Sequence, residues 1–179
     1  MSLKKVVCVI MITLIFFIIY FLQANIFNLF SIAGVKPNLF VVLMLIVGLF
    51  AGKKVGIPFA IIMGIILDLL GAKIVGISSI MFVVIVILAD IYDKNFSKDN
   101  RMTIIIMVIS TTIIYELGIY ILNAFKLSIN MELISFIKVL IIEAIYNTLL
   151  TIIIYPIIQN VGNLLEEIFK EQKILTRYF

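Results

Sequence analysis

Asp68, Glu116, Lys138 and Glu143 all interrupt strongly apolar runs of this 179-residue chain. A charge at the centre of a bilayer costs roughly 2.5–3.5 kcal/mol on insertion scales, so each needs a physical reason. Counted from the basic ends of their runs, the three acids fall at a common depth of about 20 Å at ~1.5 Å per residue. Lys138 lies somewhat further along and could approach that layer from above. Acids so placed can do three kinds of work. They can line a proton, cation or substrate path. They can be hydrogen-bonded groups that fix helix packing or a partner helix. As pairs they can also carry acid–base hydrolysis, as in glycosidases. Nothing in the sequence brings a soluble substrate to them, so no enzymatic activity is expected. The chain has no histidine and one cysteine, Cys8. This removes His-based catalysis, a Cys/His zinc site, His-ligated haem and any internal disulfide. No metal or cofactor is expected, and Cys8 reads as a small apolar filler.

The elements that position these acids follow from their spacing. Gly56, Ala60, Gly64 and Asp68 recur every fourth residue and share one face of a helix. Thr112, Glu116, Tyr120 and Asn123 make a second such stripe, and Glu143, Asn147, Thr151 and Tyr155 a third. Small or polar stripes of this kind face other helices or a wet cavity rather than lipid. The first stripe lies in the stretch 35–80, where two apolar runs are joined by Gly52-Lys53-Lys54. We read that stretch as a helical hairpin at the centre of the molecule.

Hydrophobic residues make up 64% of the chain and charged residues 13%. Ordinary soluble domains are ~45–50% apolar, so the composition predicts an all-α integral membrane protein. The apolar runs predict six transmembrane helices over 6–22, 38–51, 55–70, 77–91, 102–123 and 133–158. Pro37 is expected to open the second and Pro58 to sit in the first turn of the third. The first run, preceded by Lys4 and Lys5, is longer than the apolar core of a signal peptide and reads as an uncleaved span. Residues 1–158 then form one transmembrane domain and 159–179 a cytoplasmic tail. In that tail Val161, Leu164, Leu165, Ile168 and Phe169 follow amphipathic helical spacing. Its apolar face is expected on the membrane surface, on a partner, or against its own protein. With six spans, Lys4, Lys5, Lys53, Lys54, Lys94, Lys98, Arg101, Lys170, Lys173 and Arg177 share one side. Lys36, Lys73, Lys126 and Lys138 fall on the other. The excess of positive charge predicts cytoplasmic termini. The net charge of +4 is explained in the same way. Without a basic patch interleaved with aromatics, no nucleic-acid partner is expected.

Several motifs carry a resemblance. They are Lys36-Pro37-Asn38-Leu39, Gly64-Ile65-Ile66-Leu67-Asp68-Leu69-Leu70-Gly71 and Val75-Gly76, with Glu143-Ala144-Ile145-Tyr146-Asn147-Thr148 and Tyr155-Pro156 near the end. At this spacing, over essentially the whole chain, they resemble the rod shape-determining protein MreD family. The resemblance implies a non-enzymatic inner-membrane component of the bacterial cell-elongation complex. Its implied partners are MreC, a single-span extracytoplasmic scaffold, together with MreB, RodA and a class B penicillin-binding transpeptidase. Its implied task is to organise lateral peptidoglycan synthesis. The family is also similar in fold to the S components of energy-coupling-factor vitamin transporters, so an S-component-like bundle is expected. A substrate-binding uptake subunit is the alternative reading. Against it, the run 6–22 has no Gly or Ala with which to form a small-residue docking face. The residues expected to carry helix packing or a partner interface are Pro37, Asn38, Gly56, Ala60, Gly64, Asp68, Gly71, Glu116, Glu143 and Asn147.

Overall fold

The computed structural model describes residues 3–71, 74–98, 100–127 and 133–170. Among the described residues there are α-helices and no strand. They are α1 (Leu3–Phe21), α2 (Leu39–Ala51), α3 (Lys53–Leu70), α4 (Ile77–Asn95), α5 (Arg101–Leu127) and α6 (Leu133–Phe169). Ile- and Val-rich runs would favour strands in water. In lipid a helix satisfies its own backbone, and that requirement outweighs propensity. A π-helical turn, Leu22–Ile26, extends α1. Ile32 and Val35 then exchange two backbone hydrogen bonds around Ala33 and Gly34 before α2 begins.

α2 is the centre of the bundle. Every residue from Leu39 to Ala51 is buried, and the helix packs against all five others. Its 13 residues are about 20 Å long, well short of a ~30 Å hydrocarbon core. Being wrapped in protein on every side, it has no lipid thickness to match. An aromatic chain ties it to its surroundings. Phe40 packs on Phe16 of α1 at 4.8 Å and on Phe82 of α4 at 6.5 Å, and Phe82 stacks on Tyr115 of α5 at 6.1 Å.

One residue, Gly52, connects α2 to α3. Its φ of 77° lies where side chains are strained, which is why glycine occupies so short a turn. Since α3 starts at Lys53 rather than at residue 55, Pro58 falls in its second turn. There it removes a hydrogen bond to the Lys54 carbonyl, so the expected first-turn placement is corrected. The small-residue face of α3 lies against α4. A Cβ on Gly64 would sit 2.5 Å from the backbone nitrogen of Ser79, and one on Gly56 2.7 Å from Val86 Cγ1. Ala60 between them is fully buried. Gly48 of α2 makes the same kind of approach, with its notional Cβ 2.5 Å from that of Ala89. Ser79 Oγ donates to the Ile61 carbonyl at 2.9 Å, a hydrogen bond across this contact.

The last apolar run and the amphipathic segment after it form one helix, α6, of 37 residues with Pro156 inside it. The amphipathic segment is therefore not a separate short helix. Its apolar face folds beneath α2: Ile158, Gly162 and Leu165 are buried, and a Cβ on Gly162 would lie 2.7 Å from Phe50 Cζ. Residues 171–179 of the expected tail lie outside the described residues.

Three helical segments are long and apolar enough to cross a membrane: Leu3–Ile26, Arg101–Ala124 and Leu133–Phe169. The sequence reading expected six. α3 and α4 are of similar length but carry Lys53, Lys54 and Asp68, and Asp90, Asp93 and Lys94, respectively. α1 buries only Cys8, Ile12 and Phe16, while Val7, Ile10, Leu14, Phe17, Ile18 and Phe21 face outward.

Gly64→Ala should therefore be costly despite alanine's higher helix propensity. The added methyl meets backbone rather than a movable side chain, and overpacking of this kind costs about 1–3 kcal/mol. Thermal unfolding of the purified variant should report the loss. An unchanged midpoint would show that α3 and α4 can move apart.

Candidate functional site

The buried polar groups gather where helices begin. The first N–H groups of a helix have no partner within it, and in a dry bundle another helix must supply one. For α4 the acceptor is Asp68, from the last turn of α3. Its Oδ2 accepts from Gly76 N–H at 2.8 Å and from Ser78 N–H at 3.1 Å. Asp68 is fully buried, and the carboxylate also complements the positive end of the helix dipole. Gly76 adopts a φ of 102° as it delivers the chain into α4.

α2 begins in the same manner. Asn38 is its N-cap, with φ −111° and ψ 78°, and its own side chain makes no capping bond. Instead its N–H donates to Asn147 Oδ1 of α6 at 2.7 Å, while Asn147 Nδ2 donates to Thr112 Oγ1 of α5 at 3.0 Å. One fully buried amide thus joins the start of α2 to α5 and α6. Pro37 lies before the cap rather than within the helix, which corrects its expected placement. Its carbonyl accepts from Gln23 Nε2 at 2.7 Å.

Glu143, one turn before Asn147 on α6, is 6% exposed. Its polar neighbours are Glu116, Asn38 and Asn147. The structure therefore brings Glu116 and Glu143 together, whereas Asp68 is engaged on α4. Lys138 is exposed on α6, and among the described residues it forms no ion pair with these acids. The expected approach of Lys138 to the acids is not found. Glu143 also lines a cleft of about 280 Å³ at this end of the bundle, with Pro37, Asn38 and Gly71 among its other walls. Among the described residues no group of three or more His, Cys, Asp or Glu side chains is placed to hold a metal.

The opposite end of the bundle carries an ion cluster that sequence spacing did not reveal. Lys98 Nζ lies 2.8 Å from Asp93 Oδ1 and 2.6 Å from Glu166 Oε1. Lys170 Nζ lies 2.6 Å from Asp93 Oδ2 and also donates to the Leu49 carbonyl at the end of α2. Lys98 sits 5.2 Å from the centre of the Phe50 ring. Gln159 Nε2 donates to the Lys98 carbonyl at 3.0 Å, so the loop after α4 is fastened to α6. Burial pushes the Asp93 carboxyl upward, but hydrogen bonds from Lys170 and Lys98 outweigh it and hold the group below the usual carboxylate range. Burial likewise opposes the charge on Lys98, and Asp93 and Glu166 overcome it and raise its pKa.

Residues 4–162 match the family model described as rod shape-determining protein MreD. No curated protein and no solved structure matches the chain.

Two predictions follow from these contacts. Asp68→Leu would leave the part-buried Gly76 N–H and the buried Ser78 N–H without a partner, at a cost of about 1–3 kcal/mol for each. Asp68→Asn keeps an acceptor oxygen for both and should retain most of the stability. A folded Asn variant without function would show instead that the charge itself is used. The second concerns pH. Asp93 is held below its unfolded value, so its stabilisation is complete above about pH 4 and is lost as pH falls through the lowered folded value. Lys98 has the opposite sense: its contribution is complete below about pH 10 and is lost as pH rises through the raised value. The melting temperature of Asp93→Asn should lie below wild type at neutral pH, with the gap closing below about pH 4. A gap that does not change with pH would exclude the ion cluster as its source.

Proposed function

The chain belongs to the rod shape-determining protein MreD family, and on that premise we propose that it is a non-catalytic component of the bacterial cell-elongation machinery. In this reading it sits in the inner membrane and works with MreC to organise lateral peptidoglycan synthesis. MreB, RodA and a class B penicillin-binding transpeptidase are the further partners. The observation that carries the proposal is the family match over residues 4–162, which spans α1 to the lower part of α6. The use of the buried acids and amides also supports it. Asp68 and Asn147 are committed to helix ends, as packing groups would be. No observation favours the vitamin-uptake alternative.

The proposed topology has six spans, with residues 1–158 in the membrane and 159–179 at the cytoplasmic side. Support comes from the ion pairs at one end of the bundle, where Lys98 and Lys170 hold Asp93, and Lys53 and Lys94 hold Asp90 at 3.5 and 2.7 Å. That is the end at which α1 begins, with Lys4 and Lys5 in its first turn, and cytoplasmic faces are enriched in basic residues. α2 is then a short crossing completed by the helices around it. Pro37, Asn38, Gly56, Ala60, Gly64, Asp68, Gly71, Glu116, Glu143 and Asn147 are proposed to hold the form that the partners recognise.

The test is complementation in a rod-shaped bacterium lacking its own family member. The wild-type chain should restore rods and co-purify with MreC, and a reporter active only outside the membrane should be silent after Phe179 and active near Lys126. A chain that is inserted at normal levels, yet neither restores shape nor retains MreC, would overturn the proposal.

A further inference from the structure

The cleft beside Glu143 has the character of a binding site. Its volume is about 280 Å³, within reach of a molecule the size of an amino acid. Glu143 lines it while being 6% exposed. Its Oε1 has no hydrogen-bond partner among the described residues, and the second carboxylate of Glu116 lies beside it. A buried acceptor left open next to another acid favours a ligand that brings both a positive charge and N–H donors. Tyr20, Phe40 and Tyr115 also line the cleft, and aromatic faces attract cations further. Gln23 and Asn38 add polar atoms to the wall. Lys36, the one cation in the lining, is exposed and forms no ion pair among the described residues. A bare metal ion would gain nothing from that lysine. A molecule with an ammonium at one end and an anion at the other would use both.

We propose that this cleft binds a small zwitterion, placing its primary ammonium on Glu143 and its phosphate or carboxylate on Lys36. The chemistry is shared by free amino compounds and by the phosphoethanolamine headgroup of a lipid. The cleft lies where α1 ends and α2 begins, so a headgroup could enter from the adjoining leaflet and a free molecule from the aqueous side. The proposal is independent of the elongation role.

The experiment uses the purified full-length chain. In detergent, phosphoethanolamine should raise the melting temperature by several degrees, while glycerol phosphate, which lacks the ammonium, should not. In nanodiscs, replacing phosphatidylglycerol with phosphatidylethanolamine should give the corresponding shift. A response to the lipid alone assigns the headgroup as the ligand, and a response to the soluble probe assigns a free zwitterion. Glu143→Gln should abolish the response, and Lys36→Gln should weaken it about ten-fold or more in apparent Kd, read from the shift against probe concentration. Absence of any shift in the wild type overturns the proposal, as does an unaltered response in a folded Glu143→Gln chain. If Glu143→Gln does not fold, an unaltered response in Lys36→Gln, whose side chain is exposed, overturns it equally.

Discussion

The architecture depends on one constraint, that α2 touches neither lipid nor bulk water along its length. All its residues are buried, so every polar group at its ends has to find a partner inside the protein. α6 meets that demand at both ends. Asn147 accepts the Asn38 N–H at the start of α2, and Lys170 donates to the Leu49 carbonyl near its end. The partners on α6 are 23 residues apart, which is about 34 Å along a helix, whereas α2 itself covers about 20 Å. The excess length carries Lys170, just past the end of α6, to the Leu49 carbonyl. This explains why α6 runs on to Phe169 and why its amphipathic face is spent largely on its own protein.

The same demand accounts for the acids. A helix that starts inside a dry bundle leaves N–H groups exposed to hydrocarbon, and several kcal/mol are lost for each one unmet. Asp68 meets two of them for α4, and the small residues preceding it on α3 let the two backbones approach closely enough for a short aspartate to reach. Glycine and aspartate on one face therefore form a single device. Asp68 Oδ1 and Glu143 Oε1 are both left without a hydrogen-bond partner among the described residues, but of the two acids only Glu143 lines the cleft that has Lys36 in its wall. A buried acid that also borders a cleft is where a ligand role has its strongest physical basis.

Much of the fold was legible because it has local causes. Apolar runs placed the first five helices to within about four residues, whereas α6 runs on to Phe169 past its expected end at residue 158; the four-residue spacing from Gly56 to Asp68 anticipated a close helix contact. The stripe holding Glu143 and Asn147 likewise faces inward. What escaped the sequence lacks local cause. Lys98 pairs with Glu166 across 68 residues, and Lys170 with Asp93 across 77. No periodicity records such pairs, so Lys98 and Lys170 read only as part of the basic excess on one side. Lys138 misled for a related reason. Its depth along α6 put it just beyond the acids, but depth carries no information about azimuth, and its side chain lies on the exposed face.

The molecule divides into a rigid centre and an apolar periphery. Where α2, α3 and α4 meet, glycines bring backbone against backbone or against short side chains, with Gly48, Gly56 and Val86 in one junction. Little there could slide without a collision, and the ion cluster fastens the loop after α4 to α6. α1, by contrast, offers three residues to the core and most of its surface outward. In a membrane such a face is solvated by lipid at no great cost, and it can exchange lipid for another helix without disturbing what lies beneath. A stiff core with an uncommitted outer helix is better matched to holding partners in register than to opening and closing a path through its middle. On these grounds the packing of the centre, as much as the family it belongs to, supports a scaffold.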